Sequence, residues 1–492
     1  MTMLDGLIHG LTVALQPSVL IYSLFGAVLG TLVGVLPGIG AMAAITLLLP
    51  ITYYISSEAA LVMLAAVYYG AQYGGAVASI LLRLPGTPQS VVTTLDGYPM
   101  AQQGRAGVAL FTAMASSFAG SMLGILILVM LAGWLSQLAT QFGAAEYTAM
   151  MVMGLVAAAT IGEGRPAKSL AMVVIGVLLG CVGTDVNSGA QRFTFGQVQL
   201  MDGINLVALA MGLFGLAEVI ANIRKAERHG PPARVTLRQL VPTRDDLRRM
   251  LAPIGRGVTL GGFFGALPGT GSTISSFLSY ALERRVARQP ERFGKGAIEG
   301  VAGPEAANNT AAITAFVPTL TLGIPGDPIM ALMLGALVIH GIQPGPMMLG
   351  EHPDMFWGLV VSFAIGNLFL LILNLPLIGI WVSMLRIPFR WLYPAIIVFV
   401  CLGIYSVRGS TFDIVMVAGI GAIGYALSYA AFSPALLLLG FVLGPLIETN
   451  LRRALLVSRG DPMTFIDRPL ALTFTLATLA LLLLPLLRRL RR

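Results

Sequence analysis

Gly34-Val35-Leu36-Pro37-Gly38-Ile39-Gly40 lies between two apolar runs and returns as Gly265-Ala266-Leu267-Pro268-Gly269-Thr270-Gly271, with five of seven residues identical. A second motif follows each copy: Pro85-Gly86-Thr87-Pro88 in the first half and Pro325-Gly326-Asp327-Pro328 in the second. The offsets are 231 and 240 residues, so the spacing between motifs changes by only nine. A Pro-Gly pair alone is an ordinary turn signal. Two motifs repeated in the same order read instead as an internal repeat.

The surrounding sequence is hydrocarbon-like. Of 492 residues, 56% are apolar and only 11% charged, where a soluble domain carries about 25% charged residues. Mean hydropathy is +0.85, and nearly charge-free runs recur from Val19 to Pro485. With ~20 apolar residues needed per span, this predicts an all-α polytopic membrane protein of about ten to twelve transmembrane helices. Several runs are too short to cross alone, and 107–139 is too long for one untilted helix. Short, Gly/Pro-interrupted segments mark re-entrant or broken helices, and here they coincide with the Pro-Gly motifs.

Charge distribution sets the expected topology. The net charge of +8 comes from basic residues in short loops between apolar runs, the positive-inside pattern rather than a nucleic-acid surface. Nine Lys or Arg residues fall between Arg224 and Arg256, with Pro231, Pro232 and Pro242 among them. Residues 1–223 therefore read as a first transmembrane repeat, 224–256 as a basic cytoplasmic connector, and 257–492 as a second repeat with C-terminal helices. Glu283 to Lys295 holds five basic residues, whereas the matching loop, Ile51 to Glu58, holds none. Conversely, Arg105 follows the first Pro-Gly-x-Pro motif, while Gly345 to Asp354 has only Glu351 and Asp354 as fixed charges. Basic loops that trade places between halves predict inverted topology, with the cluster Arg488, Arg489, Arg491 and Arg492 in the cytoplasm. The stretch 450–468, with Arg452, Arg453, Arg459 and Arg468, fits this sidedness less well. No Lys or Arg precedes the first span, so a signal-peptide n-region is not expected. Cys181 and Cys401 lie in apolar runs, against a disulfide framework or thiolate metal site.

Broken helices also locate the expected chemistry. Unwinding a helix in hydrocarbon frees N–H and C=O groups at several kcal/mol each, so breaks persist only beside protein, water or ligand. A new helix N-terminus offers N–H groups and partial positive charge that suit a carboxylate. Proline and glycine make such breaks cheap. The candidate site therefore comprises Pro37, Gly38, Gly40, Pro85, Gly86, Thr87, Pro88, Pro268, Gly269, Thr270, Gly271, Ser272, Pro325 and Gly326, with amides and a hydroxyl from Asn308, Asn309 and Thr310. Two charges join them. Arg83 and Asp327 flank the Pro-Gly pairs, and a charge at bilayer depth costs at least ~2.5 kcal/mol, so it needs a partner or a task. Arg83 is expected to contact an anionic substrate or to pair with Asp327. Glu305 is placed equally well near the site or at the surface. Asp96, before Gly97-Tyr98-Pro99, reads as a loop marker, and Glu163, Arg165 and Lys168 as one solvated loop.

These motifs resemble the large membrane subunit of the tripartite tricarboxylate transporter family. The resemblance rests on Gly34 to Gly40, on Tyr73-Gly74-Gly75 through Pro88, and on Asp96 to Gly104. In the second half it rests on Ala307 to Ala312, Leu322 to Gly326, and the string from Met330 to Pro346. It implies a permease working with a small multi-span membrane subunit and a periplasmic solute-binding protein in the bacterial inner membrane. It also implies import of a small organic di- or tricarboxylate by symport with Na+ or H+. No cofactor or structural metal is implied, and Na+ would be cargo. Arg83 and Asp327 depart from the small polar residues typical of the family. The competing readings are a stand-alone anion carrier and an intramembrane enzyme. Against the enzyme, the chain has no His-Glu-x-x-His, Gly-x-Gly-Asp or Gly-x-Ser-Gly motif, and a Walker sequence is also missing, which disfavours an ATP-driven pump.

Overall fold

A computed structural model of the chain describes residues 3–36, 40–139, 141–161, 165–185, 187–223, 236–267, 271–345, 348–384 and 389–490. Pro37, Gly38, Pro268, Gly269, Thr270, Glu163 and the connector residues 224–235 lie outside the described residues.

The fold is all-α. The first half runs α1 (Met3–Ala14), α2 (Pro17–Val35), α3 (Ala41–Thr52), α4 (Ser57–Leu82), α5 (Val91–Met100), α6 (Ala106–Ala139), α7 (Ala144–Ile161), α8 (Pro166–Gly180), α9 (Leu206–Ala210) and α10 (Ala217–Asn222). The second runs α11 (Arg244–Gly265), α12 (Gly271–Val286), α13 (Glu299–Thr314), α14 (Phe316–Leu322), α15 (Pro328–Ile339), α16 (Met348–Glu351), α17 (Pro353–Asn374) and α18 (Ile378–Met384), then α19 (Phe389–Arg408), α20 (Thr411–Tyr429), α21 (Pro434–Val457), α22 (Thr464–Asp467) and α23 (Pro469–Leu490). Among the described residues the strands are a two-residue pair, Gly183–Thr184 with Gln191–Arg192. Helix α11 starts at Arg244, inside the stretch read as connector.

Among the described residues, six helices are long and apolar enough to cross a membrane. Others are shorter: α3 and α15 have 12 residues each, which rise only about 18 Å against a hydrocarbon core of ~30 Å. Both border the predicted breaks. Helix α6 is continuous over 34 residues, a length that tilt accommodates. Large apolar side chains such as Phe25, Leu126, Met130, Phe399 and Leu402 are exposed, as expected of a lipid-facing surface.

The two halves are packed by one device used twice. A Cβ on Gly26, Gly30 or Gly34 of α2 would lie 2.3 Å from the carbonyl oxygen of Met63, Val67 or Ala71 on α4. A Cβ on Gly257, Gly261 or Gly265 of α11 would meet the carbonyls of Gly303, Ala307 or Ala311 on α13 at 2.4–2.5 Å. Small residues let membrane helices approach to backbone contact. The glycines are related by 231 residues and their partners by 240, the offsets of the two sequence motifs. Partners are also exchanged between halves: α4 packs on α17, and α13 packs on α6.

Asp96 is not a loop residue. It lies in α5, fully buried, and accepts from the backbone N–H of Gly294 (2.9 Å), Gly296 (2.8 Å) and Ala297 (2.8 Å) and from the Tyr280 hydroxyl (2.9 Å). Its carboxylate thus clamps the α12–α13 loop to α5. Gly97 and Pro99 suggested a turn, but Pro99 lies inside α5, and a wide π-turn over Ala101–Arg105 follows it, with Gly104 at φ 80°. Lys168 belongs to α8, not to a loop, and its ammonium reaches the Ala430 carbonyl at 2.6 Å.

Candidate functional site

Each Pro-Gly motif ends one helix and begins another. Helix α2 ends at its C-cap Leu36, and α3 starts after Gly40 with no side-chain cap. Helix α4 ends in Arg83 at φ 58°, and α14 ends in Gly323 at φ 70°. These two are aligned by the 240-residue offset, so one left-handed helix end is made by glycine in one half and by arginine in the other. Gly86 is sterically required: a Cβ there would sit 2.0 Å from the Gly34 carbonyl and 2.7 Å from Gly75 Cα.

The four breaks converge on one cavity of about 400 Å³. Gly40 and Ala41 come from the first motif, Thr87 and Pro88 from the second, Gly271 and Ser272 from the third, and Pro325, Asp327 and Pro328 from the fourth. Helices α3, α12 and α15, and the 3-10 turn Pro88–Ser90 that leads into α5, all begin at this wall. Opposite them, α7, α10 and α21 supply Ala158, Glu218, Ser433 and Leu436.

Asp327 is the N-cap of α15. Its Oδ1 accepts from the Met330 N–H at 2.9 Å, and its Oδ2 accepts from the Tyr68 hydroxyl at 2.7 Å. The ion pair with Arg83 is not formed. Arg83 is exposed, its guanidinium lies over the Tyr98 ring at 5.8 Å, and it is not part of the cavity lining. The reason lies in the helix end: φ 58° turns the arginine away from the chain that enters the cavity.

Gln72 joins the cavity to α13. Its Oε1 accepts from Thr87 Oγ1 at 3.4 Å and Asn308 Nδ2 at 3.2 Å, while its buried Nε2 has no partner. Asn308 therefore stands one hydrogen bond behind the lining. Gln89 donates to the Ser272 hydroxyl at 2.9 Å, tying the second break to the third. Asn309 and Thr310 face away: Asn309 Nδ2 donates to Ser117 Oγ, and Thr310 Oγ1 to the Gly120 carbonyl, both on α6. Pro85, Gly86 and Gly326 shape the breaks without lining the cavity.

Sequence reasoning missed Tyr68, Gln72, Gln89 and Glu218. The repeat held a signal for one of them, Tyr68. The 240-residue offset that aligns Thr87 with Asp327 also aligns Tyr68 with Asn308. The Tyr68–Asp327 contact in one half thus corresponds to the Asn308–Gln72–Thr87 chain in the other. Among the described lining residues the charged groups are Asp327 and Glu218, both acidic. Among the described residues there is no cluster of His, Cys, Asp and Glu able to hold a metal ion.

Residues 20–439 match the family model described as the Tripartite tricarboxylate transporter TctA family. The chain is also 48% identical over 492 residues, covering all of it and 98% of the relative, to an Agrobacterium vitis protein described as an uncharacterized 52.8 kDa protein in the TAR-I ttuC' 3'region. It is 53% identical over 211 residues, 43% of this chain and 87% of the other, to an uncharacterized protein in the TAR-II ttuC' 3'region of the same organism. No solved structure matches it. The chain belongs to the tripartite tricarboxylate transporter TctA family.

Proposed function

From that membership we propose that the chain is the permease through which a small organic di- or tricarboxylate is imported by cation symport, delivered by a periplasmic solute-binding protein and aided by a small multi-span membrane subunit. That it is a multi-pass membrane component of a tripartite transport system follows from its family and its apolar helices. The substrate, the coupling and the dependence on partners are our reading.

The observation that carries it is the convergence of four helix breaks on one cavity. The start of α3, which no side chain caps, with the Ser272 hydroxyl and the unpartnered Nε2 of Gln72, offers donors that suit carboxylate oxygens. Backbone irregularity at membrane depth is otherwise costly, and a cavity of this kind is where it is tolerated.

The acidic lining supports symport. Asp327 and Glu218 would repel an incoming organic anion, and like charges close together in low dielectric are strongly unfavourable. A cation taken up with the substrate offsets that repulsion. The repeated packing of α2 on α4 and α11 on α13 supports two inverted halves, 1–223 and 257–492, rocking or sliding around the cavity in alternating access. In this reading the C-terminus is cytoplasmic and the membrane is the bacterial inner membrane.

The test is uptake of radiolabelled organic acids into cells expressing this chain with and without its partner subunits. Uptake only with all three components is the expected result. Uptake by this chain alone would make it a self-sufficient carrier, and binding of substrate without net uptake would refute the permease reading.

A further inference from the structure

Behind the cavity, α13 carries a carboxyl that nothing above employs. Glu305 is 1% exposed. Thr93 Oγ1 on α5 donates to its Oε1 at 2.5 Å, and Ser117 Oγ on α6 donates to its Oε2 at 3.1 Å. Ser117 in turn accepts from Asn309 Nδ2 at 2.8 Å, and the Oδ1 of Asn309 is buried without a partner. Every one of these groups is neutral.

The ion-paired groups on the neighbouring helices are committed to other partners. Helix α6 contains none. On α5, Asp96 is taken up by the α12–α13 loop and by Tyr280 of α12. On α11, Arg249 makes a two-bond pair with Glu299, and Arg256 makes one with Glu283 of α12. On α4, Tyr68 is bonded to Asp327, and Tyr73, an uncharged phenol close enough to Glu305 to interact with it electrostatically, donates its hydroxyl to Asn367 at 3.4 Å. Among the described residues, Glu305 therefore forms no ion pair with a counter-charge. An isolated ionised carboxylate in such surroundings is far costlier than its acid form. Direct hydrogen bonds of 2.5 and 3.1 Å also close the space around its oxygens, whereas a bound metal cation needs room for several oxygens at distances of about 2.3–2.6 Å, as calcium does.

We propose that Glu305, with Thr93, Ser117 and Asn309 around it, is the site that carries the coupled proton. The proposal rests on the symport reading above and names its cation. Glu305 takes up one proton on the face where substrate enters and releases it on the other, and no bond in the substrate is made or broken. The link to the cavity is short. Asn309, in the carboxyl's shell, adjoins Asn308, which bonds Gln72 at the cavity wall. Protonation of Glu305 also removes a negative charge from behind the cavity wall.

The experiment uses proteoliposomes holding the chain with its partner subunits and a panel of radiolabelled di- and tricarboxylates, citrate and succinate among them. With membrane potential clamped, one pH unit supports about tenfold accumulation per coupled proton. Glu305→Gln mimics the protonated acid. It is expected to retain substrate exchange, to lose accumulation driven by the pH gradient, and to lose substrate-linked proton movement. Proton movement unchanged in Glu305→Gln overturns the proposal. So does wild-type uptake that requires Na+ and moves no protons, a result that leaves the permease reading intact. A wild type that moves no acid refutes that reading instead. Should Glu305→Gln neither exchange nor accumulate, Glu305→Asp decides: restored proton-linked uptake with a displaced pH profile supports the assignment, and an unchanged profile overturns it.

Discussion

The Tyr68 hydroxyl donates to Asp327 Oδ2 at 2.7 Å, joining the central helix of the first half to the helix that begins at the last Pro-Gly break. Both residues are buried, Asp327 at the cavity wall. Tyr68→Phe should destabilise the protein by about 1.5–3 kcal/mol, the range for a buried hydrogen bond to a charged acceptor. Asp327→Ala should cost about 1 kcal/mol more than Asp327→Asn, because asparagine still caps α15 and alanine does not. Thermal unfolding in detergent checks both, and equal melting of the Asp327 variants would show that the cap is not what the carboxylate supplies.

Gln72 presents an unpartnered buried N–H group among the cavity-lining residues. Gln72→Glu replaces that donor with a negative charge beside Asp327. The expected outcome is a KM for the transported acid raised by at least about tenfold, the equivalent of ~1.4 kcal/mol, with protein amount in the membrane unchanged. Initial-rate uptake across substrate concentrations measures it.

Arg83 occupies a backbone conformation whose counterpart in the second half is Gly323. Relief of a left-handed non-glycine residue is worth about 1 kcal/mol, so Arg83→Gly should melt at or above the wild-type temperature and Arg83→Val below it. Since Arg83 does not line the cavity, Arg83→Gly should also keep uptake at limiting substrate. Loss of uptake with stability intact would return the guanidinium to the substrate path.

The glycine ladder gives a matched pair of substitutions. Gly30→Ala and Gly261→Ala each put a Cβ within 2.4 Å of a backbone carbonyl, of Val67 and of Ala307 respectively. Forcing those helices apart should cost about 1–3 kcal/mol in each half. Gly419→Ala, where the added carbon meets nothing within 4 Å, should be tolerated. Detergent melting and membrane yield of the three variants settle the comparison.

Outside the helical core, a four-charge cluster fixes the α8–α9 loop to α21. Asp185 pairs with Arg192 and with Arg452, and Glu448 pairs with both arginines. The Asn187 N–H, and then the Ser188 hydroxyl and the two arginines, hold the Asp185 carboxyl well below the usual carboxylate range. A depressed folded-state value means that this stabilisation is complete above the ordinary carboxylate pKa of about 3.9 and is lost as pH falls below it. Acid titration of the loop by hydrogen exchange should show that loss, and Asp185→Asn should abolish its pH dependence.

Much of this was legible from the sequence. Composition and run length established an all-α membrane protein, because hydrocarbon leaves the backbone few other solutions. The repeated Leu-Pro-Gly and Pro-Gly-x-Pro motifs located the breaks, because proline and glycine act locally. Gly40, Thr87, Pro88, Gly271, Ser272, Pro325 and Asp327 were singled out on that basis, and all seven line one cavity.

What the sequence did not disclose was which side chains look at each other. Arg83 and Asp327 seemed complementary along the chain, yet one lies over Tyr98 and the other is held by Tyr68. Asp96 sat beside turn residues, yet it is a buried clamp on a loop some 200 positions away. Gln72 drew no attention in its apolar helix and Glu305 was placed equally well near the site or at the surface, until packing put one at the cavity and left the other, among the described residues, without an ion pair. Helix formation and helix ends are decided within a few residues, so the amino-acid order fixes them; pairing across the bundle depends on the rotation and depth of each helix against its neighbours, which only the packed tertiary structure sets.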